Sequence, residues 1–334
     1  MKRTVEREKI GFTTSIPIEV VYAAGKIPVD LNNIFINSND ASAHIDKAEC
    51  AGFPRNMCSW IKGLYSVSLD NDINEVVGVI QGDCSNAQAL LEVLKEMGVS
   101  TYFFSYPYNK DIDYIKLSIK DLMKHYGVGM KRVEKEKVRL DKIRKKVTRL
   151  DKMTYKDNLV TGFENHYFQV SCSDFNQDPD AFDDEVSAFI KEASHRDPMT
   201  EKVRLGYIGV PPIFSDLYDF IESHDTRVVY NEVQQQFSMP YKTDNIYDQY
   251  LKFTYPYDVF GRVDVIKREV KRRKLDGIVH YVQSFCFRQI EDLIIRRALD
   301  VPVLLVEGDR PAALDARTKL RIEVFLEMLK KLKE

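Results

Sequence analysis

Two stretches of this chain share one plan, and that plan narrows the fold. The first runs Val76-Val77-Gly78-Val79-Ile80-Gln81-Gly82-Asp83-Cys84-Ser85-Asn86, the second Gly277-Ile278-Val279-His280-Tyr281-Val282-Gln283-Ser284-Phe285-Cys286. Each is a short apolar run that closes on small or polar residues and a cysteine. Each then enters a helical pattern: Ala87, Leu90, Leu91 and Leu94 after the first, Ile290, Leu293 and Ile294 after the second. The reading is strand, turn, helix, with a thiol at the carboxyl end of a buried parallel strand. That edge is where open α/β sheets bind ligands. The amino end of the following helix favours a thiolate or another anionic group.

The rest of the chain alternates in the same way. A helix with Pro17 in its first turn is predicted before Gly25, then strands at Val29–Ile36 and Ser100–Tyr106. From about Asp111 to His195 strand signals vanish and charge is dense. Val133, Leu140, Ile143, Val147 and Leu150 form a sparse stripe there, read as a helical connector with one solvated face. Strands return at Val203–Val210, Arg227–Val233 and Val301–Glu307, and a helix from Ala313 ends the chain. A basic amphipathic helix is expected over Val259–Lys274, also with a solvated face. The fold class is α/β, with parallel-sheet domains at 1–110 and 201–334 and a helical connector at 111–200.

Composition excludes several classes. The 334 residues are 44% hydrophobic and 30% charged with a net charge of −2. This is ordinary globular usage and offers no bulk attraction for nucleic acid or an anionic membrane. No apolar run is long enough to span a bilayer. The charged opening Met1–Lys9 is followed by no apolar signal core, so a cytoplasmic location is expected. Five cysteines without an export signal favour metal binding or buried thiols over a disulfide framework.

Cys58, which follows Gly52 and Pro54 and precedes a helix with Trp60, Ile61 and Leu64, is a third thiol where chain feeds a helix. Three thiolates suit zinc or an iron–sulfur cluster. No close C-x-x-C pair is present, and buried cysteines often serve only as small hydrophobes. Spacing alone leaves these readings open.

The surrounding residues say more. Pro54-Arg55-Asn56-Met57-Cys58-Ser59-Trp60-Ile61-Lys62-Gly63, Gly82-Asp83-Cys84-Ser85 and Gln283-Ser284-Phe285-Cys286-Phe287-Arg288-Gln289-Ile290-Glu291 together resemble the 2-hydroxyacyl-CoA dehydratase D-component family, which includes benzoyl-CoA reductase subunits and double-cubane cluster proteins. Ser15-Ile16-Pro17-Ile18-Glu19 near the start and Val301–Glu307 near the end extend the resemblance over nearly the whole chain. It implies two Rossmann-like domains with a helical insert and a [4Fe–4S] cluster between them. By matching motif the ligands are Cys58, Cys84 and Cys286, leaving one iron open for Lewis-acid chemistry. It further implies a separate ATP-hydrolysing iron–sulfur activator as electron donor, with ATP used only there, oxygen sensitivity, and radical dehydration of a 2-hydroxyacyl-CoA. A homodimer, or a heterodimer with a related subunit, is also implied. Five cysteines are too few for a double cubane in one chain, and the loop Phe12-Thr13-Thr14-Ser15 lacks the cysteine such proteins carry.

Other residues around these motifs are candidates. Gln81, Asp83, Ser85, Gln283 and Ser284 flank the thiols and are candidates for hydrogen bonding around a cluster or for turn and N-cap chemistry. Arg55 and Lys62 would offset cluster charge or meet a CoA phosphate. Ser15, Glu19 and Glu307 are the catalytic candidates, with Glu232 beside them as a candidate acid or base. Cys50 is either a fourth ligand, which would close the open iron, or a loop thiol. Cys172 reads as a structural thiol and His280 as a hydrogen-bonded core histidine. Two further functions remain: an ATP-driven reductase of a small molecule, and a non-catalytic electron-transfer or maturation protein.

Overall fold

Apolar runs rich in β-branched residues build two parallel sheets whose central strands are buried on both faces. The computed structural model describes residues 7–334. Most of the opening Met1–Lys9 lies outside those residues. One sheet comprises β1 (Lys9–Phe12), β2 (Ile27–Asp30), β3 (Glu75–Gln81) and β4 (Ser100–Ser105), in the order β2-β1-β3-β4. The other comprises β5 (Val203–Ile208), β6 (Thr226–Asn231), β7 (Gly277–Gln283) and β8 (Val303–Gly308), in the order β6-β5-β7-β8. All six strand pairings are parallel. Both halves are therefore Rossmann-like, with one topology used twice and the strand order reversing beside the first strand of each.

By contact the chain divides into two units. One comprises the described residues up to Ile143, with Ser173–Pro179 and Tyr241–Tyr257; the other comprises Arg144–Cys172, Asp180–Pro240 and Asp258–Glu334. The stretch 111–200, expected as a connector, is shared between them. It is helical, with Ile112–His125, Met130–Tyr155, Gly162–Val170 and Pro179–Ala193 as its main helices.

Several local expectations are corrected. The strand expected over Val29–Ile36 stops at Asp30, where the carboxylate accepts from the Asn32 amide and starts the helix Leu31–Ile36. The strand expected over Arg227–Val233 likewise stops at Asn231 and yields to the helix Glu232–Phe237. At Asp30 a side-chain cap turns the chain inside an apolar run, whereas the Asn231 side chain caps nothing and is held by the Tyr218 phenol and the Gly162 carbonyl. The stripe Val133, Leu140, Ile143, Val147 and Leu150 is buried. It carries Lys137, Arg144 and Asp151 inward with it, so this helix has more than one solvated and one apolar side.

After Cys286 the chain first makes a 3₁₀ helix, Phe287–Glu291, and then the α-helix Asp292–Ala298. The tighter turn rotates the register. Arg288, Asp292 and Ile295 face inward, while Ile290, Leu293 and Ile294 are exposed, against the expected stripe. Burial of Asp292 is what the fold needs: His280 in β7 meets it at 2.7 Å, and Arg296 pairs with it from the other side.

The basic helix is Val259–Arg273. Its expected solvated face is only partly so, because Arg262 and Arg273 are fully buried. Arg262 donates to both oxygens of Glu232, at 2.8 and 2.9 Å, and to Glu291. Arg273 donates to both oxygens of Asp151, at 2.8 and 2.6 Å, and to Glu269. Around them Ile208, Val229, Val263, Ile266, Ile278 and Ile295 form the core of this unit.

Candidate functional site

In a right-handed β-α-β crossover the helix returns antiparallel to its strands, so helix amino ends collect at the carboxyl edge of the sheet. The helix Ser59–Asp70 leads into β3, and the helix Ser85–Glu96 leaves it. The two pack on each other. Cys58 is the N-cap of the first, at φ −51° and ψ 127°, and Cys84 the N-cap of the second, at φ −80° and ψ 158°. Both thiols thus stand at the carboxyl edge of β3, Cys58 buried and Cys84 half-buried. In the other unit Cys286 holds the matching place after β7, as the N-cap of Phe287–Glu291 at φ −84° and ψ 132°.

Sulfur is a poor cap. Elsewhere Asp30, Asp40, Asp111, Thr161, Asp258 and Asp315 cap their helices with side-chain oxygens, as such positions favour. None of the three cysteines caps its own helix through sulfur. Thiols at these places cost helix stability and supply soft donors beside exposed N–H groups, the setting that favours a thiolate. Cys50 differs. It is exposed and is the last residue of the helix Ala41–Cys50, at the carbonyl end of the dipole. Cys172 is buried and donates to the Phe168 carbonyl at 3.3 Å.

The turns before the thiols are tightly set. Gly82 has φ +101°, and a Cβ there would lie 2.8 Å from Pro256 Cβ and 2.9 Å from its carbonyl oxygen. Asp83 Oδ1 accepts from the Cys84 amide at 2.8 Å, and the Tyr106 amide donates to the Gln81 carbonyl at 2.9 Å. The Gln81 side chain itself is exposed, as is Ser85. Before Cys286, Phe285 takes a left-handed φ of 64°. Buried Gln283 donates to the Asp309 carbonyl at 2.7 Å and accepts from Tyr281 at 2.9 Å. Ser284 Oγ donates to Glu307 at 2.7 Å, and Gln289 donates to the Gln283 carbonyl at 2.8 Å. Glu307, exposed at the end of β8, therefore steadies the Cys286 turn.

The Cys58 loop has its own clamp. Lys62 is buried one turn into the helix, paired with Glu49 at 2.8 Å and donating to the Arg55 carbonyl at 3.2 Å. Its charge is spent holding the loop, while the Arg55 side chain is exposed. Ser15 is buried, and its carbonyl accepts from Tyr106 at 2.7 Å. Glu19 is fully buried, accepting from Gln249 at 2.7 Å and from the Tyr250 phenol at 2.8 Å. Glu232 is fully buried as well; burial pushes its carboxyl up, but Arg262 and the Gly209 amide hold it below the ordinary range. Neither the Arg262 clamp nor the Glu19 cluster is readable from spacing, since both join residues far apart in the chain.

A family described as 2-hydroxyglutaryl-CoA dehydratase, D-component, matches residues 13–329. The chain belongs to this family. No curated protein matches it. The chain is thus a 2-hydroxyacyl-CoA dehydratase-like subunit. Among the described residues, no three His, Cys, Asp or Glu side chains stand grouped as a metal site. Cys58 and Cys84 belong to one unit and Cys286 to the other, each at a helix amino end, and cysteine thiolate is the usual ligand of an iron–sulfur cluster. No helix among the described residues is long and apolar enough to cross a membrane.

Proposed function

We propose that this chain is an iron–sulfur subunit of a 2-hydroxyacyl-CoA dehydratase, holding one [4Fe–4S] cluster through Cys58, Cys84 and Cys286. The observation that carries this reading is the shared placement of the three thiols: all are N-caps, and none caps through sulfur. When bound, such a cluster supplies one-electron reduction and an iron open to substrate oxygen. The chain's own residues do the positioning. Helix amino ends stand beside the thiols, Gly82 and Asp83 fix the Cys84 turn, and Gln283, Ser284, Gln289 and Glu307 fix the Cys286 turn. Electrons would come from an ATP-hydrolysing iron–sulfur activator, and a related subunit or second copy would complete the enzyme. Exposed Arg55, next to the loop's Pro54, is offered to a CoA phosphate. A cytoplasmic location suits this chemistry, since thiols stay reduced there.

The test is anaerobic purification with iron and acid-labile sulfide counted per chain, for wild type and for Cys→Ser variants at Cys50, Cys58, Cys84 and Cys286. About four of each, lost in the Cys58, Cys84 and Cys286 variants and kept in the Cys50 variant, is the expected result. Zinc, no metal, or indifference to those three substitutions would overturn it. Dependence on Cys50 as well would favour an electron-transfer protein with four thiolates.

A further inference from the structure

Ser59 follows Cys58 and is the first residue of the helix Ser59–Asp70. It is fully buried, and among the described residues its hydroxyl oxygen has no hydrogen-bond partner. Two other serines of this helix are also buried, and both are satisfied: Ser66 donates to the His44 carbonyl at 2.6 Å and Ser68 to the Leu64 carbonyl at 2.7 Å. Ser68 uses the usual outlet, the carbonyl four residues back. Ser59 is at the amino end, so four residues back lies Arg55, outside the helix, whose carbonyl already accepts from Lys62. Buried hydroxyls rarely stay unpaired, and one that does calls for a bound group or a functional role.

We propose that the Ser59 hydroxyl donates a hydrogen bond to a sulfur of the bound cluster at its Cys58 corner, and that it sets the cluster's reduction potential. The inference rests on the three-cysteine cluster reading. Its physics is that of any donor aimed at an iron–sulfur centre. The O–H dipole stabilises the extra negative charge of the reduced state, so removing it makes reduction harder. Ser59 is a positioning and tuning residue, since it reaches the substrate only through the cluster.

The experiment compares wild type with Ser59→Ala, Ser59→Thr and Ser68→Ala, all purified anaerobically. Iron and sulfide are counted first, the potential is read by spectroelectrochemical titration, and the reduced state by electron paramagnetic resonance. Ser59→Ala is expected to keep its cluster, move the potential to a more negative value and alter the resonance signal. Ser59→Thr, which keeps the hydroxyl, and Ser68→Ala, which removes one already satisfied, should stay with wild type. Without a cluster, Ser59→Ala should melt no earlier than wild type, because it deletes an unpaired hydroxyl. The cluster should then raise the melting temperature of wild type by more than that of Ser59→Ala. Coincident potentials and signals in loaded wild type and Ser59→Ala would overturn this inference alone. A wild type without iron would sink it together with the cluster reading.

Discussion

Gly82→Ala tests how the fold places Cys84. Two costs are expected, and the structure separates them. The first is conformational: Gly82 sits at φ +101°, a region L-residues rarely enter, which costs on the order of 1–3 kcal/mol. The second is steric. The new Cβ would lie 2.8 Å from Pro256 Cβ and 2.9 Å from the Pro256 carbonyl oxygen, and a backbone oxygen cannot rotate away. Such overpacking adds about 1–3 kcal/mol. Gly98 supplies the control, with φ +86° and nothing within 4 Å of an added Cβ. Gly98→Ala should show the conformational cost alone, about 1–3 kcal/mol, and Gly82→Ala about 2–6 kcal/mol. Urea denaturation followed by circular dichroism on the metal-free proteins gives both values. Loss of iron in Gly82→Ala at a temperature where it remains folded would tie the turn to the thiol. Equal destabilisation of the two variants would refute the steric argument and with it the claim that Pro256 confines this turn.

Three further expectations are independent of the cluster. Arg262→Met strands Glu232 in the core, and breaking such a pair costs about 3–5 kcal/mol. Because Glu232 is held below its ordinary value of 4.5 in the native protein, its contribution is present above that pH and is lost on acidification; the variant's deficit in urea should therefore shrink below about pH 5. Asp174 goes the other way: burial and the neighbouring Asp30 carboxylate push it up to about 8 from 3.8. Its contribution is complete below about pH 4 and is lost as pH rises towards 8, at up to about 1.4 kcal/mol per pH unit, and Asp174→Asn should flatten that slope. Phe285, at φ 64° and half-exposed, should accept Asn more readily than Val by about 1–2 kcal/mol in thermal or urea unfolding, since Asn tolerates the left-handed region and a β-branched residue does not.

The parts of the fold written in local pattern were legible in the sequence. Val76, Val77 and Val79 announce a strand covered on both faces, and Ala87, Leu90, Leu91 and Leu94 are the buried side of the helix that follows. Cysteines in loop-to-helix positions marked the candidate site for the same reason. What failed depended on neighbours distant in sequence. Ile290, Leu293 and Ile294 have helical spacing, but the need of His280 for Asp292 decides which side turns inward. Arg273 reads as one more surface cation until Asp151, 122 residues away, is seen to receive it. Nothing in the spacing of Glu19, a catalytic candidate, shows that Gln249, 230 residues on, donates to its buried carboxylate. The return of Tyr241–Tyr257 to the first unit carries no local signature at all.

The doubled topology bears on why this chain has three thiols of this kind rather than four. In each sheet one helix precedes the third strand and one element follows it, and both begin at the same edge. In the first unit those two N-caps are Cys58 and Cys84. In the second they are Asp258 and Cys286. Asp258 is an ordinary cap, accepting from the Phe260 amide at 2.9 Å and the Gly261 amide at 3.2 Å. The carboxylate is thus engaged by its own helix, whereas sulfur caps none of the other three. Cys50 does not fill the gap, since it ends a helix instead of starting one. The repeated architecture thus puts cysteine at three of these four N-caps. Under the proposed function, a four-iron cluster held by those three would keep one iron without a protein thiolate, the condition for chemistry at the metal as opposed to electron relay alone.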